Sequence, residues 1–345
     1  MKNYKSFMLA AVILPGIISC SSDEKAGDAA EESRSLLLNT NISQTRGIID
    51  NTNFSDGDQV SLYVTGAVNN VTKTEAILSE GKWQLSPTPL LGFQRAGVGG
   101  YANLTEDISP NTQGDQNDIL LGVSTLNDGL SINWDNPIAN MQFFHVLSKV
   151  SFQLKQHNGK GHLTKIALVN VGSGNAISTE IPVKMVTSAV EKASIIASKN
   201  GLLKANNNSE EEKTKAKAAY DQELNSLMEE VYQDIYSYNK TAHDLIMPVD
   251  IQLSEESAAI SLLAIPTSFG AYYGNQVQLQ LVIDDKTYSI NFPETVWQYN
   301  TQYTYPIDID LSSDRLIQIS FGTLRIEKWG TSTVLDEQVI PTYMD

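Results

Sequence analysis

The chain has 345 residues, 41% of them hydrophobic, and its 40 acidic against 24 basic residues give a net charge of −16. This hydrophobic content can build one large or two medium-sized domains with substantial cores. The acidic balance, without a basic patch anywhere, argues against nucleic acid and against anionic lipid as partners. A single cysteine leaves no disulfide within the chain, so stability must come from packing.

Residues 1–19 have the layout of a secretory signal, because Lys2 and Lys5 precede an apolar run that is too short to span a bilayer comfortably. Cys20 follows this run directly and resembles the cysteine of a bacterial lipobox, which is lipidated, for example with palmitate, and becomes the mature N-terminus. An ordinary signal peptide with an incidental cysteine is the alternative. Residues 20–34 are polar and acidic, which predicts a flexible, lipidated tether.

A short amphipathic strand is predicted next. Its inward positions alternate with outward ones and are Leu36, Leu38, Thr40 and Ile42. The pair Arg46-Gly47 follows in a predicted loop, where an exposed arginine favours a trypsin-like cut. An ordinary surface arginine is the alternative.

Most of the remaining chain has the pattern of short β-strands. The predicted strands are 60–64, 146–154, 163–171, 260–265, 277–283, 287–292, 303–311 and 316–329. The Asn158-Gly159 pair is a strong hairpin signal, which predicts that the strands on either side pair with each other. Many short strands without alternating helices indicate β-sandwiches rather than a parallel α/β sheet.

One segment has a helical pattern instead. Residues 209–238 begin with a capping box formed by Ser209 and Glu212, and a shorter helix is predicted at 188–199. Apolar residues recur at helical spacing, at Tyr220, Leu224, Leu227, Met228, Val231 and Ile235. Two interpretations are open: a protruding hairpin that contacts a partner, or an insertion that packs on its own domain, which is the favoured one.

Residues that could carry chemistry are few. His157 and His162 flank the same turn, but two imidazoles without a third ligand make a poor metal site. Asp56 and Asp58 are typical turn residues rather than a complete calcium loop. No serine elbow occurs, and Cys20 is assigned to lipidation. The sequence therefore predicts no enzyme activity, no cofactor and no metal.

Several stretches, in order, resemble the fimbrillin family of Bacteroidetes, the pilin subunits of type V fimbriae. They are the lipobox and residues 45–47, 54–58, 60–64, 144–152, 263–266, 299–307 and 324–329. The acidic tether is similar to the signal that sends lipoproteins of these bacteria to the outer face of the outer membrane. The resemblance covers nearly the whole chain except the helical insert.

The resemblance implies a mainly β fold with two tandem transthyretin-like β-sandwich domains. The N-terminal domain would span 35–158, with a removable strand at 35–46, and the C-terminal domain 159–345, with the helical insert at about 188–240. Removal of the strand after a cut at Arg46 would open a groove, and the C-terminal strand of another subunit would fill it by β-augmentation. The candidate donor residues are Val334, Leu335, Val339 and Ile340.

The predicted function is a structural subunit of surface fimbriae that is exported as a lipoprotein, assembled by donor-strand exchange and supports cell adhesion. Expected partners are other fimbrial subunits, the outer membrane through the lipid at Cys20, and a ligand on a host or bacterial surface. Stalk, tip and anchor roles stay open. The alternative is a surface glycan-binding lipoprotein of a nutrient-uptake system, with a sugar platform formed by Trp83, Trp134, Trp297 and Trp329.

Overall fold

The structure is a computed structural model that describes residues 33–42, 54–102, 118–171, 183–237, 244–270, 276–312, 318–329 and 334–339, the last range by its backbone only. Residues 32–345 belong to one compact unit. Strands dominate the described part of the chain, which confirms the prediction of a mainly β fold. Neither long helix in these ranges combines the length and the apolar character that a membrane crossing requires.

The N-terminal strands form one seven-stranded sheet in the order β2-β9-β8-β7-β3-β4-β5. Its strands are β2 (Leu37–Ile42), β3 (Gln59–Thr65), β4 (Lys73–Ser79), β5 (Lys82–Ser86), β7 (Gly97–Ala102), β8 (Leu120–Thr125) and β9 (Ile138–His145). Two short strands, β1 (Arg34–Ser35) and β6 (Leu90–Leu91), pair with each other beside it. One face of the sheet encloses a core that includes Val60, Leu62 and Phe143.

The C-terminal strands form two larger sheets around a second core. The six-stranded sheet contains β10 (Ser148–His157), β13 (Ala258–Ala264), β18 (Thr301–Asp310), β19 (Gln318–Phe321), β20 (Thr323–Lys328) and β21 (Val334–Val339). The four-stranded sheet contains β11 (His162–Val171), β12 (Leu245–Gln252), β15 (Gln276–Ile283) and β16 (Lys286–Asn291). A small pair, β14 (Thr267–Phe269) and β17 (Thr295–Trp297), adds Phe269 and Trp297 to the core.

The predicted hairpin at Asn158-Gly159 is wrong. Both residues have positive φ, 59° and 71°, as a tight turn requires. However, β10 pairs with β13 and β18, whereas β11 pairs with β12 and β15. The turn therefore carries the chain from one sheet of the C-terminal pair to the other.

The first half of strand β10 is buried on both faces. Lys149 and Ser151, on the face opposite Phe152, are only 3% and 6% exposed, whereas Gln153 further along this face is exposed. Because β10 has an antiparallel neighbour on one side and a parallel neighbour on the other, it lies inside the six-stranded sheet. The change from the first sheet to the second falls between β9 and β10, whereas the sequence-based domain boundary was set at residue 158.

The helical segment contains α1 (Val183–Asn200), a 3-10 turn (Lys204–Asn206) and α2 (Glu210–Ser237). The capping box at the start of α2 is confirmed: the Ser209 backbone N–H donates to Glu212 Oε2 at 2.8 Å, and the Glu212 N–H donates to Ser209 Oγ at 3.2 Å. The Ser209 backbone N–H and the Ser209 hydroxyl both donate to the Glu212 carboxylate, and they hold its pKa below the usual value.

The helical insert packs on the folded chain rather than protruding, but the expectation that it packs on its own, C-terminal domain alone is wrong. Helix α1 packs on strands of the N-terminal half instead. It lies on the outer face of the seven-stranded sheet, over β7. A Cβ atom at Gly97 would lie 2.0 Å from the Ser194 carbonyl oxygen, and one at Gly99 would lie 2.0 Å from the Val190 carbonyl oxygen. The two glycines therefore let the helix backbone approach the strand more closely than any side chain would permit.

Helix α2 packs outside α1 and also reaches the first sheet. The buried Tyr220 hydroxyl donates a hydrogen bond to the Ser124 carbonyl oxygen of β8, and burial raises the pKa of Tyr220. Because the helices cover the outer face of β8 while the core covers the inner face, this strand is buried on both sides. The same cluster includes Ile265 and Trp329 from the C-terminal sheets, so it joins the two halves.

Candidate assembly site at the N-terminal edge strand

Strand β2 forms one edge of the seven-stranded sheet. Within the described residues it has one strand neighbour, β9, and the pairing is parallel from Leu37 opposite Ile138 to Ile42 opposite Phe143. An edge strand leaves the backbone groups of its outer side without a strand partner. Release of β2 would therefore break a single ladder of hydrogen bonds.

The inward face of β2 closes the core of the first sheet. Leu36, Leu38 and Ile42 are 2%, 7% and 3% exposed, whereas Leu37 is 52% exposed. This alternation matches the predicted inward positions. Burial of one such side chain stabilises by about 1.5–3 kcal/mol, so the three together contribute roughly 5–9 kcal/mol, as an upper estimate. Loss of this segment would expose the apolar core beneath it, at a free-energy cost of similar size.

Thr40, the fourth inward position, connects β2 to the opposite edge of the sheet. The indole N–H of Trp83 on β5 donates to Thr40 Oγ1 at 3.2 Å. Since β5 is the last strand at the other end, the sheet curves until its two edges meet. Phe54 packs edge-to-face against Trp83 and against Phe143, with ring centroids 5.2 and 5.1 Å apart. This aromatic lining was not predicted from the sequence, where the alternating pattern of β5 is its one signal.

The residues just before β2 are also held. The Arg34 guanidinium lies 4.2 Å from the centre of the Trp134 ring, and Trp134 packs against Phe93 with centroids 5.2 Å apart. The backbone N–H of Leu36 donates to the Pro89 carbonyl oxygen at 3.0 Å. The N-terminal segment is thus fixed from residue 34 to residue 42, with β1 on β6 and β2 on β9.

The candidate donor segment is a strand in its own subunit. β21 pairs antiparallel with β20, from Thr323 opposite Val339 to Glu327 opposite Val334, and forms an edge of the six-stranded sheet. The backbone of Val334, Leu335 and Val339 therefore has the strand conformation that a donor needs. The two candidate exchange segments, β2 and β21, are edge strands of different sheets.

Four of the predicted site residues lie outside the described residues. They are Cys20, Arg46, Gly47 and Ile340. Lipidation, cleavage and the last donor position therefore stay predictions.

The predicted sugar platform of four tryptophans does not form. Trp297 and Trp329 are fully buried. Trp83 and Trp134 are partly buried and belong to the contacts around the N-terminal segment described above. Each of these side chains is therefore used at least in part for packing within the chain.

The histidines do not form a shared site. His157 Nε2 lies 2.6 Å from Asp308 Oδ1, and His162 Nε2 lies 2.5 Å from Asp250 Oδ1, so the two rings have different partners. Among the described residues, no group of three or more His, Cys, Asp or Glu side chains could hold a metal ion.

A buried polar group lies where the two halves of the chain meet. His145 Nδ1 on β9 lies 2.5 Å from Asp118 Oδ2, and its ring stacks on Trp329 with centroids 3.9 Å apart. All three side chains are at most 6% exposed. Asp118 orients the imidazole, and Trp329 joins it to the C-terminal sheets. The arrangement is a structural link between the halves of the chain.

Comparison with known proteins identifies a family and solved structures that this chain resembles. A family model described as fimbrillin-like matches residues 97–329. A solved structure from Bacteroides ovatus, provisionally assigned to cell adhesion, is similar with a TM-score of 0.54 at 13% identity, covering 88% of this chain and 100% of that chain. That likeness supports the fold alone.

Two further solved structures have lower scores. A fimbrial protein from Bacteroides vulgatus has a TM-score of 0.41 at 10% identity, covering 86% of this chain and 99% of that chain. The tip fimbrial protein Mfa3 from Porphyromonas gingivalis, with a C-terminal truncation, has a TM-score of 0.43 at 12% identity, covering 86% and 100%. No curated protein matches the sequence. Because the family model covers well over half of the chain, the protein belongs to the fimbrillin-like family.

Proposed function

We propose that this protein is a structural subunit of a surface fimbria that is exported as a lipoprotein, cut between Arg46 and Gly47, and assembled by strand exchange to support cell adhesion. The observation that carries the proposal is β2, an edge strand that fills a core slot and lies just before the candidate cleavage site. Membership of the fimbrillin-like family supports the fimbrial role. No catalytic role is proposed.

The groove follows from the contacts of β2. A cut at Arg46 leaves residues 34–42 attached to the folded chain by non-covalent contacts alone. When this segment leaves, the hydrogen-bonding edge of β9 and the apolar positions beneath Leu36, Leu38 and Ile42 are exposed. An incoming strand restores both, because ladder hydrogen bonds supply affinity and alternating side chains fill the slot.

The donor is the C-terminal segment that contains β21. As an edge strand, β21 can leave β20 without breaking the other pairings of the six-stranded sheet. Its role as donor rests on Val334, Leu335, Val339 and Ile340, whose apolar side chains would occupy the slot of the next subunit. The two tandem domains would then alternate along the fibre.

The lipid at Cys20 would deliver the precursor to the outer membrane and hold it on the cell surface. Cleavage at Arg46 would discard this anchor at the same step that opens the groove. The expected partners are therefore other fimbrial subunits, the outer membrane before cleavage, and a surface ligand of a host or another bacterium.

The test treats the purified precursor with trypsin and follows polymers by electron microscopy and by gel electrophoresis without heating. We expect a new N-terminus at Gly47 and polymers that survive mild denaturant. Arg46→Ala should stay uncut at this position and monomeric. Arg95→Ala is the matched control, since Arg95 is an exposed arginine that lies outside the N-terminal segment, and it should behave like the parent.

A second variant tests the donor. Deletion of residues 334–345 should leave a folded, cleavable subunit that no longer extends a polymer. If the protein trimmed at Arg46 stays monomeric at high concentration, strand exchange is wrong. If polymers grow equally well without residues 334–345, another segment is the donor.

A further inference from the structure

A cleft of about 690 Å³ lies where α2, β9 and residues 296–301 meet. This volume is within the range of about 300–1,000 Å³ that is typical of small-molecule sites. The cleft involves neither β2 nor β21, so it is distinct from the proposed assembly site.

Aromatic rings supply the apolar part of the wall. Phe144 and Tyr299 are half-buried, and the rings of Tyr232 and Tyr299 stack within 8° of parallel. Burial raises the pKa of both tyrosine hydroxyls, so both are neutral at physiological pH. Ring faces of this kind bind apolar patches of a ligand, while a hydroxyl at the rim can form hydrogen bonds.

Amide side chains supply the polar part. Asn225 and Gln233 face the cleft from α2, and Gln298 and Asn300 face it from the opposite wall. Each amide offers both a donor and an acceptor. The oxygens of the Asn300 amide and the Tyr232 hydroxyl are buried and have no hydrogen-bond partner, which is unfavourable in a closed core.

The charge of the cleft favours a neutral ligand. Its charged wall residues are Glu229 and Lys328, one of each sign. The whole chain carries a net charge of −16, which opposes the approach of anions. A matching ligand has apolar faces for the aromatic rings, many hydroxyl groups for the amides, and no net charge, since the two charged wall residues have opposite signs.

We propose that this cleft binds the neutral terminal sugars of a surface glycan. A pyranose ring presents a C–H face that packs on the half-buried rings Phe144 and Tyr299, while its hydroxyls pair with Asn225, Gln233 and Gln298. The site would give the subunit a ligand of its own. This inference does not depend on strand exchange, because every residue that lines the cleft belongs to the folded chain outside β2 and β21.

The test measures binding of four neutral disaccharides to the purified full chain by calorimetry. The probes are N,N′-diacetylchitobiose, cellobiose, maltose and lactose. We expect saturable binding of at least one of them with a Kd in the millimolar range or tighter. Gln233→Ala and Gln298→Ala should each weaken it by about five- to tenfold, since each removes a side-chain hydrogen bond.

The matched control is Gln222→Ala, which changes an exposed glutamine of the same helix that does not line the cleft, and it should leave the Kd unchanged. Because Gln233 and Gln298 are exposed, their variants should keep the parent thermal midpoint, which separates lost binding from lost folding. The proposal is overturned if none of the four sugars binds, or if both cleft variants bind as tightly as the parent.

Discussion

Substitution of Gly99 by alanine tests whether close approach of α1 to β7 holds the helical insert in place. A Cβ at this position would lie 2.0 Å from the Val190 carbonyl oxygen and 2.9 Å from its carbonyl carbon. Both are backbone atoms, so no side-chain rotation can relieve the contact. The helix must move outward by roughly 1 Å to restore normal contact.

The expected cost follows from this displacement. Four buried side chains of α1 pack in the cluster beneath the helix: Val186, Ala189, Val190 and Ala193. A gap of this size forfeits about a quarter to a half of each contact's attraction, and overpacking of this kind costs about 1–3 kcal/mol. In the opposite direction, alanine stabilises the protein by about 0.4–1 kcal/mol, because it reduces the conformational entropy of the unfolded chain. Because the clash is with backbone, we expect Gly99→Ala to lower the free energy of unfolding by about 1–2 kcal/mol.

The measurement is guanidinium unfolding followed by circular dichroism, together with hydrogen exchange. Exchange should speed up in α1 and β7 and stay unchanged in β10 and β18, which belong to the other core. Gly322→Ala is the matched control, since its Cβ would lie 3.0 Å from a side-chain carbon of Pro306 rather than against backbone. It should stay within about 0.5 kcal/mol of the parent. Equal unfolding free energies for the parent and Gly99→Ala would refute the reasoning.

Three further predictions concern β2 and α2. The double substitution Asn39→Cys and Asn140→Cys, at paired positions on β2 and β9, should form a disulfide that blocks polymer growth after cleavage. Polymer growth should return when the disulfide is reduced. Polymerisation of the oxidised protein would exclude release of β2. Trp83→Phe removes the hydrogen bond to β2 and part of the ring, so denaturant unfolding should show a loss of about 1–3 kcal/mol, and an unchanged midpoint would contradict the role of this contact. The Ser209 backbone N–H lowers the pKa of Glu212 from 4.5. The stability that the ionised Glu212 carboxylate contributes is therefore present above pH 4.5 and is lost as the pH falls through the folded-state pKa. Glu212→Gln should therefore weaken the acid dependence of hydrogen exchange at the start of α2, and an identical pH profile would contradict this.

The sequence was a reliable guide where the determining interactions are local. The alternation of β2 was readable because neighbouring side chains of a strand point to opposite faces. The capping box at Ser209 and Glu212 was readable because its partners are three residues apart. The order of family-like stretches was sufficient to suggest a fimbrillin-like protein, which the family model supports.

The position of the insert could not be read in this way. Its apolar stripe indicates that α2 is amphipathic, but not which surface it covers. The surface that α1 covers depends on Gly97 and Gly99, about a hundred positions earlier in the chain, which leave room for its backbone. The hydrogen bond from Trp83 to Thr40 and the walls of the cleft likewise join residues that are distant in sequence.

Two tight turns show most clearly which features follow from the sequence and which depend on tertiary packing. At Asp284-Asp285 both residues have positive φ, and the adjoining strands β15 and β16 pair as a hairpin. At Asn158-Gly159 the same backbone signs occur, but β10 and β11 enter different sheets. Sequence chemistry determined that the chain turns at both places. Tertiary packing decided the partners, because the inward residues of β10 and β11 belong to one core that is enclosed by the two sheets.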